Sequence, residues 1–199
     1  LRELYQVRRS YRNFAPQAVD SGIVREAVAM AQLSPSACNR QPCRVYVVDD
    51  AALKQELLSF QNGNAGFGHL VPHVAVITSD LGSFFDASER NEPYVDGGLF
   101  SMSLIYALLS QGIVSCCLNW CVPVATDRQV HRRFGIHASE RIIMLLAFGY
   151  PLEENVVPQS PRKAPGRVML ELTADVRAAG RPVRDLPFRP ATGGSLTNS

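Results

Sequence analysis

This sequence has little excess charge, no long apolar runs and no repeats. Its 20 Lys and Arg residues face 18 Asp and Glu residues, a formal net charge of +2, which gives no reason to expect nucleic acid or an acidic membrane surface as a partner. No apolar run approaches the roughly 20 residues that a membrane-spanning helix needs. The first residues, from Leu1, lack the basic, apolar and small-residue segments of a signal peptide. Internal repeats and low-complexity tracts are absent as well.

Motifs for tightly held nucleotides are also missing. No G-x-G-x-x-G follows a predicted strand, and no Walker A sequence occurs. The nearest segment, residues 63–68, has the wrong spacing for a dinucleotide-binding turn. If the protein is a redox enzyme, any nicotinamide is therefore expected to visit as a substrate rather than to stay bound.

Cysteine occurs five times, an odd number, which favours reduced thiols and a cytoplasmic protein over a disulfide framework. A zinc site is the alternative, but the paired C-x-x-C spacing of zinc ligands is absent, so no metal is expected. Buried thiols are the favoured interpretation. The cysteines are Cys38, Cys43, Cys116, Cys117 and Cys121.

Hydrophobic residues make up 46% of the 199 residues, enough for one domain with a core. Hydrophobic periodicity predicts helices over residues 22–33, 51–60, 94–111 and 127–134. It also predicts a short buried strand over residues 44–48 and further strands over residues 71–79, 113–118 and 142–150. Strands that alternate with helices indicate a layered α/β or α+β domain.

The helix predicted over residues 94–111 is apolar on most faces and ends at Gly112. A helix of this kind is expected to be buried, in the core or at a subunit interface. From Pro158 onward the chain is rich in Pro, Gly and Arg and has no long periodic element. Such a tail either wraps around a partner or is loose, and wrapping is the favoured alternative.

The most informative motif is Arg8-Arg9-Ser10-Tyr11-Arg12. Guanidinium groups bind phosphate oxygens in a bidentate manner, and a serine hydroxyl can donate to a further oxygen. The plain alternative is a solvated basic surface, which short basic runs usually form. A second basic pair, Arg162-Lys163, follows Pro161 late in the chain.

A second motif, Pro35-Ser36-Ala37-Cys38-Asn39-Arg40-Gln41-Pro42, lies between a predicted helix and a predicted strand. Its polar residues are bracketed by two prolines, and a merely stiff connecting loop would explain the pattern equally well. Together with the arginine cluster, this loop resembles the N-terminal segments of the FMN-dependent nitroreductase family.

The resemblance extends from Arg8 to about Pro165 and implies a role for each motif. In the family, an Arg-x-Ser-x-Arg/Lys segment and a late Pro-Arg segment hold the flavin phosphate, and a Pro-Ser-x-x-Asn-x-Gln-Pro loop contacts the flavin of the other subunit. The residues that match as cofactor-binding are Arg8, Arg9, Ser10, Arg12, Pro35, Ser36, Ala37, Asn39, Gln41 and Arg162.

Two further segments match less closely. Asn64 resembles the family asparagine at the flavin pyrimidine edge, although Asn among glycines is more often part of a turn. Residues 112–120 match the segment whose backbone N–H faces flavin N5, which implies roles for Cys117, Leu118 and Asn119 and an edge position for Trp120. Phe67 stands where many relatives have a lysine, so Arg12 is expected to supply the positive charge there. Cys43 replaces the usual aromatic residue.

The resemblance implies an α+β fold with a central, mostly antiparallel sheet flanked by helices, in a domain-exchanged homodimer with shared active sites. Residues 1–165 would form the FMN-binding domain and residues 166–199 an extension around the partner. NADH or NADPH would reduce FMN, which then reduces a small nitroaromatic, quinone or similar acceptor by a ping-pong mechanism. The alternatives are a flavin-binding dimer without turnover, a dehalogenase-type activity, and a phosphoanion- or nucleic-acid-binding module with steep salt dependence.

Other catalytic patterns are weaker. The four histidines show no metal-ligand spacing, and no sequence feature places one beside Cys117 as the base for a nucleophile. Flavin itself is expected to carry the chemistry, with no dedicated catalytic side chain. Glu89, Glu92 and Tyr94 precede the long helix, where relatives carry residues that cover the substrate.

Overall fold

A computed structural model describes residues 2–169 of the chain. Its helices are α1 (Arg2–Val7), α2 (Ser21–Ala31), α3 (Ala51–Ser59), α4 (Glu92–Ser110) and α5 (Val124–Phe134). Its strands are β1 (Cys43–Val48), β2 (His73–Asp80), β3 (Val114–Asn119) and β4 (Glu140–Gly149). The elements predicted from periodicity are all present, with ends that shift by up to three residues. The short helix α1 was not predicted.

The four strands form one sheet in the order β1-β2-β4-β3, and every pair of neighbours is antiparallel. The predicted α+β fold with an antiparallel sheet is therefore confirmed. The register between β2 and β4 shifts after Ile77, so that Ile143 is an extra residue in β4. This β-bulge lies next to Met144, which pairs with Asn119 at the end of β3.

Alternating strand residues divide the core between the two faces of the sheet. On one face, Val74 and Val76 of β2 pack with residues from α3 and α5. On the other face, Ala75 and Ile77 pack against α2 and α4. The period of two along a strand explains this division, because successive side chains point to opposite faces.

Local capping defines several helix ends. The Asp20 side chain accepts a hydrogen bond from the Gly22 N–H, and the Asp50 side chain accepts one from the Leu53 N–H. Gly112 follows α4 with φ of 78°, and the Ile113 N–H turns back to the Leu108 carbonyl at 3.0 Å. This left-handed residue ends the helix where the sequence predicted a glycine stop.

Strand β1 and helix α4 are less buried within one chain than the sequence predicted, and for α4 the alternative of a subunit interface stays a prediction. The strand predicted as buried over residues 44–48 is an edge strand of the sheet, with Arg44 and Val47 exposed, because β1 pairs only with β2. Helix α4 buries one side against the sheet but leaves Val95, Leu99 and Met102 exposed. Between residues 2 and 169, no helix has both the length and the apolar composition to cross a bilayer.

The chain divides into one compact unit that ends at Pro158 and another that begins at Gln159. In the second unit, Pro165–Arg167 form one turn of 3-10 helix. Most of the extension predicted for residues 166–199 lies outside the described residues, so its role around a partner stays a prediction.

Candidate functional site

The N-terminal arginine cluster lies along the outer edge of β3. Ser10 forms a parallel bridge with Ser115, and the Tyr11 N–H donates to the Ser115 carbonyl at 3.0 Å. The backbone of the cluster is thereby tied to the strand that carries the predicted N5-facing segment. Two motifs that are about 100 residues apart in the sequence become neighbours.

The charges of the cluster act on the two thiols of β3. Although part of the Cys117 side chain is exposed in a cleft, desolvation by the surrounding protein raises its pKa, and the Arg8 guanidinium offsets only part of that rise. Burial likewise raises the pKa of Cys116, against the effect of Arg12. Both cysteines therefore stay protonated at neutral pH, and the described residues place no histidine within hydrogen-bond distance of Cys117. The Cys117 thiol lacks the base and the low pKa that a nucleophile needs.

Arg12 lies over the ring of Phe67, with 5.9 Å between the guanidinium carbon and the ring centroid. Phe67 is itself buried. A cation above an aromatic face is held by the ring quadrupole. The arrangement puts a positive charge beside Phe67, and the expected role of Arg12 toward a flavin stays a prediction.

An open cleft of about 830 Å³ lies where β3 ends, β4 begins and helices α4 and α5 start. Cys117, Leu118 and Asn119 line it, together with Trp120 and Tyr94. Trp120 is held in place because its indole N–H donates to Asp127 at 2.8 Å. Three predicted flavin-contacting residues thus belong to one cleft, and Tyr94 lies where a substrate-covering residue was expected.

The bulge at Ile143 shapes the wall of this cleft. Helix α4 approaches it so closely that a Cβ atom on Gly97 would lie 2.6 Å from Ile143 Cγ1. Bulges often occur beside functional sites, because they redirect a strand locally. Glycine at position 97 therefore lets α4 pack against the irregular part of β4.

The loop over residues 61–64 braces the end of β3. Gln61, which is buried, donates from Nε2 to the Asn119 carbonyl at 3.1 Å. The Asn64 amide nitrogen donates to the carbonyls of Leu58 and Gln61, so it serves the local turn. The residue after Asn119 is Trp120, and its backbone N–H has no protein acceptor among the described residues.

The Pro35–Pro42 loop adopts an unusual backbone conformation. Cys38, Asn39 and Gln41 have φ of 50°, 55° and 50°. Left-handed conformations are uncommon for residues with a Cβ atom, and such strain is found most often at functional sites. The loop also bonds internally: Gln41 N–H donates to Ser36 Oγ, and Gln41 Nε2 donates to Asn39 Oδ1 at 3.2 Å.

Two acidic residues hold this loop in place. Asp96 of α4 is only 3% exposed, and its carboxylate accepts the Ala37 N–H at 3.1 Å. Arg40 donates to both oxygens of Glu89 at 2.8 Å, and its guanidinium lies 5.0 Å from the Phe85 ring centroid. Glu89 therefore supports the loop instead of standing free before α4.

Within one chain, the two predicted flavin segments lie at opposite edges of the sheet. The arginine cluster accompanies β3, whereas the Pro35–Pro42 loop leads into β1, and two strands separate these edges. Strands are spaced about 4.8 Å apart, so the edges lie about 14 Å apart. One chain does not bring the two segments together.

The remaining predicted residues occupy separate positions. Arg9 donates to the Arg8 carbonyl at 2.9 Å. Arg162 belongs to the second unit and donates to the Ser160 carbonyl at 3.1 Å. All five cysteines are free thiols, but only Cys116 is buried, so the prediction of buried thiols is wrong for the exposed Cys38, Cys117 and Cys121. Residues 2–169 contain no group of three potential metal-ligating side chains.

Sequence reasoning missed several residues of the site. Asp96 had a usable signal, because an acidic residue inside an otherwise apolar helix pattern needs a partner when buried. Gln61 and Gly97 had none, since their roles depend on contacts with β3 and β4. Arg128 and Arg141 also line the cleft and were not singled out.

Comparisons with known proteins agree with this geometry. Residues 5–63 match the model of the nitroreductase family. A Thermus thermophilus NADH dehydrogenase is 39% identical over 74 residues, which cover 37% of this chain and 36% of that protein. The chain thus spans about a third of the length of the curated relatives with which it shares 30% identity or more.

Two solved structures extend the likeness to the whole fold. A nitroreductase family protein from Streptococcus pneumoniae superimposes with a TM-score of 0.72 at 22% identity, over 86% of this chain and 98% of that one. An FMN-dependent nitroreductase from Clostridium difficile gives a TM-score of 0.67 at 19% identity, over 80% and 92%.

The sheet order, the flanking helices and these superpositions define an α+β protein with the nitroreductase fold. The match of residues 5–63 adds sequence evidence to the fold. The resemblance to the nitroreductase family that the sequence motifs indicated is thus supported by the match of residues 5–63 and by the shared fold.

Proposed function

We propose that this protein is an FMN-dependent oxidoreductase that takes hydride from NADH or NADPH and reduces a small organic acceptor, such as a nitroaromatic compound or a quinone. The observation that carries the proposal is the pairing of Ser10 with Ser115, which sets the arginine cluster beside the strand that lines the cleft. The family match supports a flavin oxidoreductase in general. FMN, the nicotinamide and the acceptor are the proposed particulars.

The residues present fit a flavin phosphate in charge and in hydrogen bonding. Arg8, Arg9 and Ser10 would hold the phosphate, since guanidinium groups and a hydroxyl suit its oxygens. The role of Arg162 is the one that the sequence resemblance implies. Bound FMN would supply hydride acceptance at N5 and electron transfer to the acceptor.

The chain's own groups would tune this chemistry. Arg12, held over Phe67, would supply a fixed positive charge where negative charge develops on reduction. The Asn119 segment offers a backbone donor. The backbone N–H of Trp120 lacks a protein acceptor among the described residues. Leu118 and Cys117 would back the ring in the cleft. Asn64 would contribute through Oδ1, because its amide nitrogen is engaged locally.

A homodimer with shared sites follows from the same proposal. The residues proposed to reach the partner's flavin are Pro35, Ser36, Ala37, Asn39 and Gln41. They lie at the opposite sheet edge from the arginine cluster, so a second copy is what would bring the two segments together. Exposed apolar residues on α2, just after it and on α4 offer a surface for that copy. They are Met30, Leu33, Val95, Leu99 and Met102.

The proposed function is tested by mixing the purified chain with FMN, desalting it, and recording its visible spectrum. NADH and then NADPH are added without oxygen. A retained flavin band that bleaches supports the proposal, and a retained band that stays oxidised favours the dimer without turnover. No retained flavin contradicts the phosphate assignment.

Substitutions give the matched comparison. Arg8→Ala and Arg162→Ala should each weaken FMN binding more than about tenfold, because a charge-assisted phosphate contact is lost. Arg25→Ala, an exposed change on α2, is the control. Unchanged affinity in both test variants would refute the assignment. Sedimentation of the wild-type chain should give a dimer, and a flavin-loaded monomer would contradict the shared sites.

A further inference from the structure

The cleft carries two guanidinium groups that no carboxylate neutralises. Arg128 of α5 and Arg141 of β4 both line it. Across residues 2–169, neither side chain takes part in an ion pair or a hydrogen bond, whereas Arg40, Arg44 and Arg133 are each paired with a glutamate.

The nearby carboxylates are already engaged. Asp127, the acidic residue of the lining, accepts the Trp120 indole N–H through Oδ1, and its Oδ2 lies 3.6 Å from His131 Nδ1. Glu140 precedes Arg141 but is only 1% exposed and accepts hydrogen bonds from Arg44 and other donors. The lining therefore has two positive groups against one negative group.

The rest of the lining suits an aromatic ligand. Tyr94 and Trp120 supply rings, and Val122, Val124 and Ile142 supply apolar surface. Helix α5 begins at Val124, so the positive end of its dipole also faces this region. An apolar, aromatic slot with a cationic end selects a ring that bears an oxyanion.

We propose that Arg128 and Arg141 form an oxyanion subsite, which binds the carboxylate, sulfonate or phosphate of an aromatic ligand in the cleft. The inference rests on the proposed function in one respect, namely that the ligand is the acceptor or the nicotinamide dinucleotide. The two sources share the same chemistry, an anionic group on a ligand whose ring lies against Tyr94 and Trp120.

The binding test uses Trp120, the single tryptophan of the chain, as a fluorescent reporter. The full-length protein is titrated, with and without added FMN, with 4-nitrobenzoate and with the neutral 4-nitrobenzyl alcohol. Wild type should bind the anion about tenfold more tightly, since one charged pair of hydrogen bonds is gained. Arg141→Gln and Arg128→Gln should each abolish most of this preference.

Arg132→Gln is the matched control, because Arg132 is an exposed arginine of α5 outside the lining. It should keep the preference for 4-nitrobenzoate. Equal binding of the two probes by wild type would overturn the subsite. So would a loss of preference that is as large in Arg132→Gln as in Arg141→Gln, since the effect would then be one of general charge.

Steady-state kinetics with FMN bound distinguish the two sources. If the acceptor occupies the subsite, the variants lower kcat/KM for 4-nitrobenzoate and leave the KM for NADH and NADPH unchanged. If a dinucleotide phosphate occupies it, the variants raise the nicotinamide KM and leave the ratio between the two acceptors unchanged. An absence of both effects contradicts the subsite.

Failure of the proposed function would look different. A chain that retains no flavin or turns over no nicotinamide would still report the binding preference through Trp120 fluorescence. In that case the oxyanion subsite stands and the oxidoreductase assignment does not. Conversely, reduction of both acceptors without any binding preference would support the oxidoreductase assignment and overturn the subsite.

Discussion

Glu140→Gln tests whether a buried carboxylate aligns the start of β4, from which Arg141 and the bulge enter the cleft. Glu140 is 1% exposed, and three donors reach its side chain. Thr78 Oγ1 donates at 2.5 Å, Arg44 at 2.6 Å and Tyr46 Oη at 2.8 Å. Glutamine keeps the shape but replaces one acceptor oxygen with a donor nitrogen.

The expected loss of unfolding free energy is about 3 kcal/mol, the lower end of the range for breaking a buried ion pair. One hydrogen bond to the carboxylate is removed, and the remaining ones weaken because the acceptor no longer carries a charge. The lower end applies because the Arg44 side chain is 52% exposed and can be rehydrated. Such a loss should lower Tm by about 6–12 °C. Urea unfolding at pH 7 measures it directly.

The pH dependence gives a second readout. Burial raises the pKa of Glu140, but the donors Thr78, Tyr46 and Arg44 lower it by more, so the folded-state pKa lies below the ordinary value. The resulting stability is complete above the unfolded pKa of about 4.3 and is lost as the pH falls through the folded pKa. The difference between wild type and Glu140→Gln should therefore narrow in acid.

The control is Glu154→Gln, because Glu154 is exposed and forms no hydrogen bond within the described residues. Its free energy of unfolding should lie within about 0.5 kcal/mol of the wild-type value, as is usual for substitutions of surface residues. A Glu140→Gln variant as stable as this control at pH 7 would refute the reasoning. A difference from wild type that persisted unchanged into acid would refute the role of the charge.

Two further predictions concern packing around α4. Gly97→Ala should lower the free energy of unfolding, measured in urea, by about 1–3 kcal/mol, because its new methyl group would clash with Ile143. The control is Gly98→Ala, whose methyl group meets no atom within 4 Å and should not lower it. Equal losses in the two variants would contradict the clash. Burial and the nearby Asp96 charge raise the pKa of Cys43 to about 12. Alkylation of Cys43 at pH 8, followed by mass spectrometry, should therefore be very slow. The Asp96→Asn substitution should accelerate it. Rapid alkylation of the wild-type protein would contradict the raised pKa.

Much of the fold could be predicted because its signals are local. The Asp20 cap and the Gly112 stop depend on residues within one or two turns, and the structure contains both. The alternation of Val74, Ala75, Val76 and Ile77 likewise followed from the period of a strand. The prediction of a phosphate site at Arg8–Arg12 also rested on adjacent residues alone, and it stays a prediction.

Other features depended on contacts that no local pattern reports. The exposure of β1 follows from its place at the sheet edge, and the exposed apolar side of α4 follows from which of its residues the sheet covers. The Glu140 site joins it to Arg44, 96 residues away. The role assigned to Asn64 shows the same limit, since its amide nitrogen serves a local turn.

Residue order alone thus specified the helices and strands, the arginine cluster and the proline-bracketed loop, because each depends on short-range geometry or on side-chain chemistry. Tertiary structure decided that the cluster lies on β3 and the loop on β1, at opposite edges of one sheet. It also decided that Trp120, Arg128 and Arg141 share a cleft. The physical reason is that strand order and register arise from packing among distant segments, and only that packing determines which side chains meet.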